Sequence, residues 1–131
     1  MMISSMMNLK IMIVDDVSAM RKVLKSILVD HCKVDPIFIF EADDGADAIE
    51  TYDLCNPDIV FLDIAMPDSD GKAIVKKLIE IDPEAKIIMC TGSSDKQDVI
   101  ECIRAGAKDY VRKPITPDRI STALEKVIRG G

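Results

Sequence analysis

Short apolar runs alternate along the chain with stretches in which apolar residues recur at helical spacing. Leu9 to Val14, Pro36 to Ala42, Ile59 to Leu62, Lys86 to Cys90 and Asp109 to Arg112 are brief and bounded by Asp, Asn, Gly or Pro, and they read as strands. Between them lie five amphipathic segments. Met20, Val23, Leu24, Ile27 and Leu28 fall at i, i+3, i+4, i+7 and i+8, with Ser18 as the expected cap. Asp44-Gly45 opens a helix carrying Ala48, Ile49 and Tyr52, and a third helix with Ile74, Val75, Leu78 and Ile79 stops before Pro83. Ser93 or Ser94 caps a fourth, with Val99, Ile100 and Ile103 inward and Gly106 closing it. Thr116-Pro117 starts the last, whose inward stripe is Ile120, Ala123, Leu124, Val127 and Ile128. Strands that alternate with helices in this way predict an α/β fold with a parallel sheet covered on both faces.

Composition narrows the picture without changing it. With 131 residues, 48% hydrophobic and 31% charged, the chain can bury a core as one domain over residues 8–131, behind a loose lead-in at 1–7. No apolar run has the length of a membrane span and the lead-in lacks the pattern of a signal peptide, so a cytoplasmic location and no membrane contact are expected. A net charge of −6 without a clustered basic face argues against nucleic acid as partner. Cys32, Cys55, Cys90 and Cys102 form no Cys-x-x-Cys pair and read as reduced, structural thiols; the single histidine, His31, has no zinc-ligand spacing.

The ends of the strands carry the chemistry. In open parallel sheets ligands bind at the carboxyl edge, and at that edge the strands deliver Asp15-Asp16, Asp63, Thr91 and Lys113. A capping role for Asp63 is weakened because Ile64 to Gly71 reads as a loop rather than a helix. Three clustered acids repel one another unless a cation sits among them. Oxygen ligands without histidine or thiolate select magnesium, which keeps waters and meets phosphate oxygens. An aspartate can itself be the nucleophile toward a phosphoryl group, with a lysine and a hydroxyl neutralising the transferred oxygens.

The combination of Asp15-Asp16, Phe61-Leu62-Asp63, Met66-Pro67 with Asp70-Gly71, Thr91-Gly92 and the run from Ala105 to Pro114 resembles the receiver domain of bacterial response regulators. The resemblance spans the chain from about residue 8 to its end. It implies a flavodoxin-like (βα)5 doubly wound sandwich with strand order 2-1-3-4-5. Asp63 then corresponds to the phosphoacceptor, charged by the phosphohistidine of a sensor histidine kinase. Asp16, Asp63 and the backbone carbonyl of Ala65 correspond to direct Mg2+ ligands, with Asp15 acting through water. Lys113 and Thr91 would contact the phosphoryl oxygens, the Lys113-Pro114 bond would be cis, and Tyr110 would turn inward as Thr91 moves. Ala65 and Ser93 occupy the positions that tune phosphoryl lifetime, and both are too small to position or block a water.

These features imply a stand-alone, monomeric response regulator of the chemotaxis type, not an enzyme beyond its own phosphorylation and dephosphorylation. Its signal would leave through protein contacts around Lys96, Arg104, Tyr110, Arg112 and Arg119, toward a flagellar motor switch, a phosphotransfer protein or another target. The bland readings are a solvated turn at Asp15-Asp16, a helix cap at Thr91, a strand stop at Lys113-Pro114 and an edge aromatic at Tyr110. Competing functions are an unphosphorylated scaffold, a phosphohydrolase and a flavin carrier. The hydrolase would want a second acid where Ala65 stands, and Asp15-Asp16 would repel a flavin phosphate.

Overall fold

In the computed structural model the described residues are 8–66, 70–92 and 96–130. The lead-in at 1–7, the loop residues 67–69 and the expected caps Ser93 and Ser94 lie outside them. The elements are β1 (Ile11–Val14), α1 (Ser18–Ser26, continued by a π-helical turn Ile27–His31), β2 (Ile39–Ala42), α2 (Gly45–Cys55), β3 (Ile59–Asp63), α3 (Gly71–Ile81), β4 (Ile87–Thr91), α4 (Lys96–Ala105), β5 (Asp109–Arg112) and α5 (Pro117–Gly130). All strand pairs are parallel, in the order β2-β1-β3-β4-β5, which is the flavodoxin-like order.

The core lies on both faces of this sheet because β1, β3 and β4 are interior strands whose every residue is buried. On one face Ile11, Ile13, Ile59, Phe61 and Ile88 pack against Leu24 and Leu28 of the first helical segment and Ile120, Leu124 and Val127 of α5. On the other, Met12, Val60, Leu62, Ile87 and Met89 meet Tyr52 of α2, Val75 and Leu78 of α3 and Cys102 of α4. Among the described residues no helix is long and apolar enough to cross a membrane.

Four sequence expectations change. Pro36–Phe38 forms a 3-10 turn rather than the start of a strand: Asp35 accepts from the Ile37 N–H at 3.1 Å, and pairing with β1 begins only at Ile39. Ser18 does not cap α1. The N-cap is Val17, with no side-chain cap hydrogen bond; its own N–H donates to Asp15 Oδ1 at 2.9 Å. Val23 is 46% exposed although it fits the helical stripe, because Leu24 and Leu28 already fill the space under the helix. On α4, Cys102 is buried with Val99 while Ile100 and Ile103 face outward, which rotates the inward face from the one expected. The expected cap Thr116 is present and accepts from the Arg119 N–H, and Asp44, at the turn expected to open α2, accepts from the Asp47 N–H.

Candidate phosphoryl and metal site

The parallel topology brings every predicted strand-end residue to one edge. Asp15 follows β1 and its N–H donates to the carbonyl of Ala42 at 3.1 Å, which ties the acid to the end of β2. Asp63 is the last residue of β3, Thr91 the last of β4, and Lys113 directly follows β5. Asp15, Asp63 and Thr91 are 7%, 5% and 2% exposed, and they are the buried polar residues among those described. Asp16 is exposed at the rim.

One carboxylate oxygen each from Asp15, Asp16 and Asp63 lies within 4.8 Å of the others. Burial raises the Asp15 carboxyl above its ordinary range; the Val17 amide works the other way, and the nearby charge of Asp63 raises it further. Such a group is one that a cation would relieve. The donor set is oxygen only and within reach of one ion, which fits a hard divalent metal of the magnesium type.

Lys113 Nζ donates to Asp63 Oδ1 at 2.8 Å, and the same oxygen accepts the N–H of Ala65 at 3.2 Å. Burial works to lower the Lys113 ammonium, but the hydrogen bond and charge of Asp63, joined by Asp15, outweigh it and leave the group above an ordinary lysine. The peptide bond Lys113-Pro114 is cis, as expected. The hydroxyl of Thr91 donates to the carbonyl of Gly92 at 3.0 Å. Tyr110 is 46% exposed, on the rim of a cavity of about 430 Å3 that Thr91, Val99, Ile100 and Arg112 also line. Lys96, Arg104, Arg112 and Arg119 are exposed, as the contact surface requires. Arg119, however, is also bonded inward. Its Nη1 donates to the carbonyls of Arg112 and Pro114 at 3.2 and 2.8 Å, which flank Lys113.

Sequence reasoning missed one group of residues. Arg21 and Glu41 pair at 2.9 Å beside Asp15, and no spacing rule links an α1 arginine to an acid on β2 twenty positions on. Of the predicted site residues, Asp15, Asp16, Asp63, Ala65 and Lys113 come together, Thr91 and Tyr110 line the neighbouring cavity, and Ser93 lies outside the described residues.

A sequence model of the response regulator receiver domain matches residues 11–125. The chain is 41% identical over 121 residues to the chemotaxis protein CheY of Listeria monocytogenes, covering 92% of this chain and 99% of that one. It is 43% identical over 121 residues to CheY of Thermotoga maritima, with 92% and 98% covered. Among solved structures, NtrX of Brucella abortus superposes with a TM-score of 0.86 at 28% identity, over 95% of this chain; the chain spans 27% of that longer protein.

Proposed function

The chain belongs to the response regulator receiver family, and from that premise we propose that it is a single-domain response regulator that accepts a phosphoryl group on Asp63 from a sensor histidine kinase. The observation that carries the reading is the Lys113 ammonium 2.8 Å from Asp63 while two further carboxylates crowd the same acid. A structural ion pair alone needs one acid; three acids converging on one edge fit a phosphoryl site with its counter-ions.

In the transfer a carboxylate oxygen of Asp63 forms a bond to the phosphorus of the donor phosphohistidine. The P–N bond breaks, and its electron pair returns to the imidazole nitrogen of the kinase, which takes up a proton. Lys113 holds positive charge against the equatorial oxygens, and the Thr91 hydroxyl turns from Gly92 to donate to one of them. Asp16, Asp63 and the Ala65 carbonyl would hold Mg2+, with Asp15 acting through water, and the ion would supply further charge neutralisation at these oxygens. The change of hydrogen-bond partner at Thr91 then biases Tyr110 toward the cavity beside it and remodels the surface around Lys96, Arg104, Arg112 and Arg119. The small side chains of Ala65 and Ser93 neither block nor position the water that ends the phosphorylated state.

Chemotaxis is the pathway that the CheY relatives favour, since the chain spans almost their whole length. The output is then a protein target, such as a flagellar motor switch or a phosphotransfer protein, reached by a monomer in the cytoplasm without nucleic acid.

Intact mass after incubation with magnesium and a small acyl phosphate tests the reading. The native chain gains one phosphoryl group that requires magnesium, and Asp63→Asn gains none. An unmodified native chain that still binds magnesium would point to an unphosphorylated scaffold, and an adduct on the variant would move the acceptor elsewhere.

A further inference from the structure

The turn that carries Asp15 and Asp16 is braced from outside the acidic cluster. Arg21, in the first turns of α1, reaches back so that Nη1 donates to the carbonyl oxygen of Asp15 at 2.7 Å. Its Nε donates to Glu41 Oε1 at 2.9 Å, and the Arg21 side chain is only 17% exposed. Lys25 Nζ stands 3.9 Å from the other Glu41 oxygen, so Glu41 is itself held from α1 by two cations.

The carbonyl that Arg21 grips belongs to the peptide joining Asp15 to Asp16. A peptide is a rigid plane, so its tilt sets the direction in which both flanking side chains leave the backbone. The carbonyl of that plane is held by a guanidinium anchored to β2 through Glu41, and the preceding Val14-Asp15 peptide is tied to the same strand by the Asp15 N–H on the Ala42 carbonyl. A planar, two-pronged donor with both prongs occupied has little freedom to swing. Its charge is compensated by Glu41, so it stabilises the turn without acting as a rival cation among the acids.

We propose that Arg21 is a positioning residue for the metal-binding turn: through the Asp15-Asp16 peptide it sets the two carboxylates, and Glu41 holds it in place. The inference rests on the magnesium-dependent reading above. It predicts a loss of metal affinity, of about tenfold, when the brace is removed, as is usual for groups that orient ligands without touching the ion.

The test is a titration of the 15N-labelled full chain with magnesium chloride, followed by the amide shifts of residues 14–17 and 63–65. The native chain saturates; Arg21→Ala keeps a dispersed spectrum but needs about ten times more magnesium. Arg21→Lys, which keeps the charge and loses the fork, falls between them, as does Glu41→Gln. At saturating magnesium the Arg21→Ala chain regains phosphoryl uptake, a recovery that damage to the acceptor itself would not allow. A native chain with no saturable shifts would sink the metal-dependent reading and this inference with it. A native chain that saturates alongside variants with unchanged midpoints would overturn the role of Arg21 alone. Should Arg21→Ala fail to fold, Arg21→Lys and Glu41→Gln carry the same comparison.

Discussion

The backbone N–H of Lys113 donates to the carbonyl of Thr91 at 2.7 Å, one step beyond the last β4–β5 rung, where Thr91 stands opposite Arg112. The ammonium that reaches Asp63 therefore starts from a point held by the sheet. Lys113→Ala is expected to slow phosphoryl uptake from an acyl phosphate by on the order of 100-fold, the usual cost of removing one preorganised charge partner. Lys113→Arg restores charge without the compact point donor and recovers only a small part. Mass spectra taken over time distinguish the two variants.

Asp15 gives a pH-dependent signature. Its carboxyl is raised, chiefly by burial, so the folded chain binds that proton more tightly than the unfolded chain. Stability then falls as pH rises from the ordinary aspartate range through the raised value, and the cost persists at neutral pH. Asp15→Asn removes this cost and keeps an oxygen for the Val17 N–H. In metal-free buffer at pH 7 the variant should melt above the native chain, by roughly 4 °C for each kcal/mol relieved. Added magnesium should raise the native Tm and leave the variant almost unmoved, a contrast that calorimetry reads directly.

Thiol chemistry should single out Cys55. Burial first, then the charge of Asp63, pushes the Cys90 thiol up to about 12, and burial pushes Cys102 up to about 11. Cys32 is also buried and raised, whereas Cys55 is half-buried at the end of α2. A disulfide reagent at pH 8 is expected to modify one cysteine quickly in the native chain and four in denaturant. A fast second equivalent would contradict the packing around Cys90 or Cys102.

Gly106 is a place where the backbone leaves no choice. Its φ is +129°, and a Cβ there would lie 2.8 Å from Ile79 Cγ1. Gly106→Ala should cost about 2–4 kcal/mol by urea denaturation, through backbone conformation and overpacking together. Phosphoryl uptake of the folded fraction should be unchanged, because the residue closes α4 at the edge opposite the acids.

What the sequence made legible was whatever a period or a strand end encodes. Asp15, Asp16, Asp63, Thr91 and Lys113 were identifiable because parallel topology sends every strand end to the same edge. Periodicity failed where geometry decides between neighbours on one stripe. Val23 and Ile100 fit their helical patterns yet face outward, while Leu24 and Cys102 beside them on the same helices take the buried positions. Pro36 to Phe38 looked strand-like in composition, but a side-chain oxygen from Asp35 diverts the backbone into a tight turn. Arg21 and Arg119 were illegible as braces because their partners include backbone carbonyls, which carry no residue identity.

The rotation of α4 has a dynamic consequence. Among the described residues this helix seats two fully buried side chains, Val99 and Cys102, with Ala105 partly buried against the same core, whereas α3 and α5 on either side in sequence each seat four buried residues. Local opening of α4 therefore breaks few apolar contacts, and its amides should exchange with solvent well before those of its two neighbours. A loosely fastened helix beside Thr91 and Tyr110 lets that part of the surface be redrawn while the sheet beneath it stays folded.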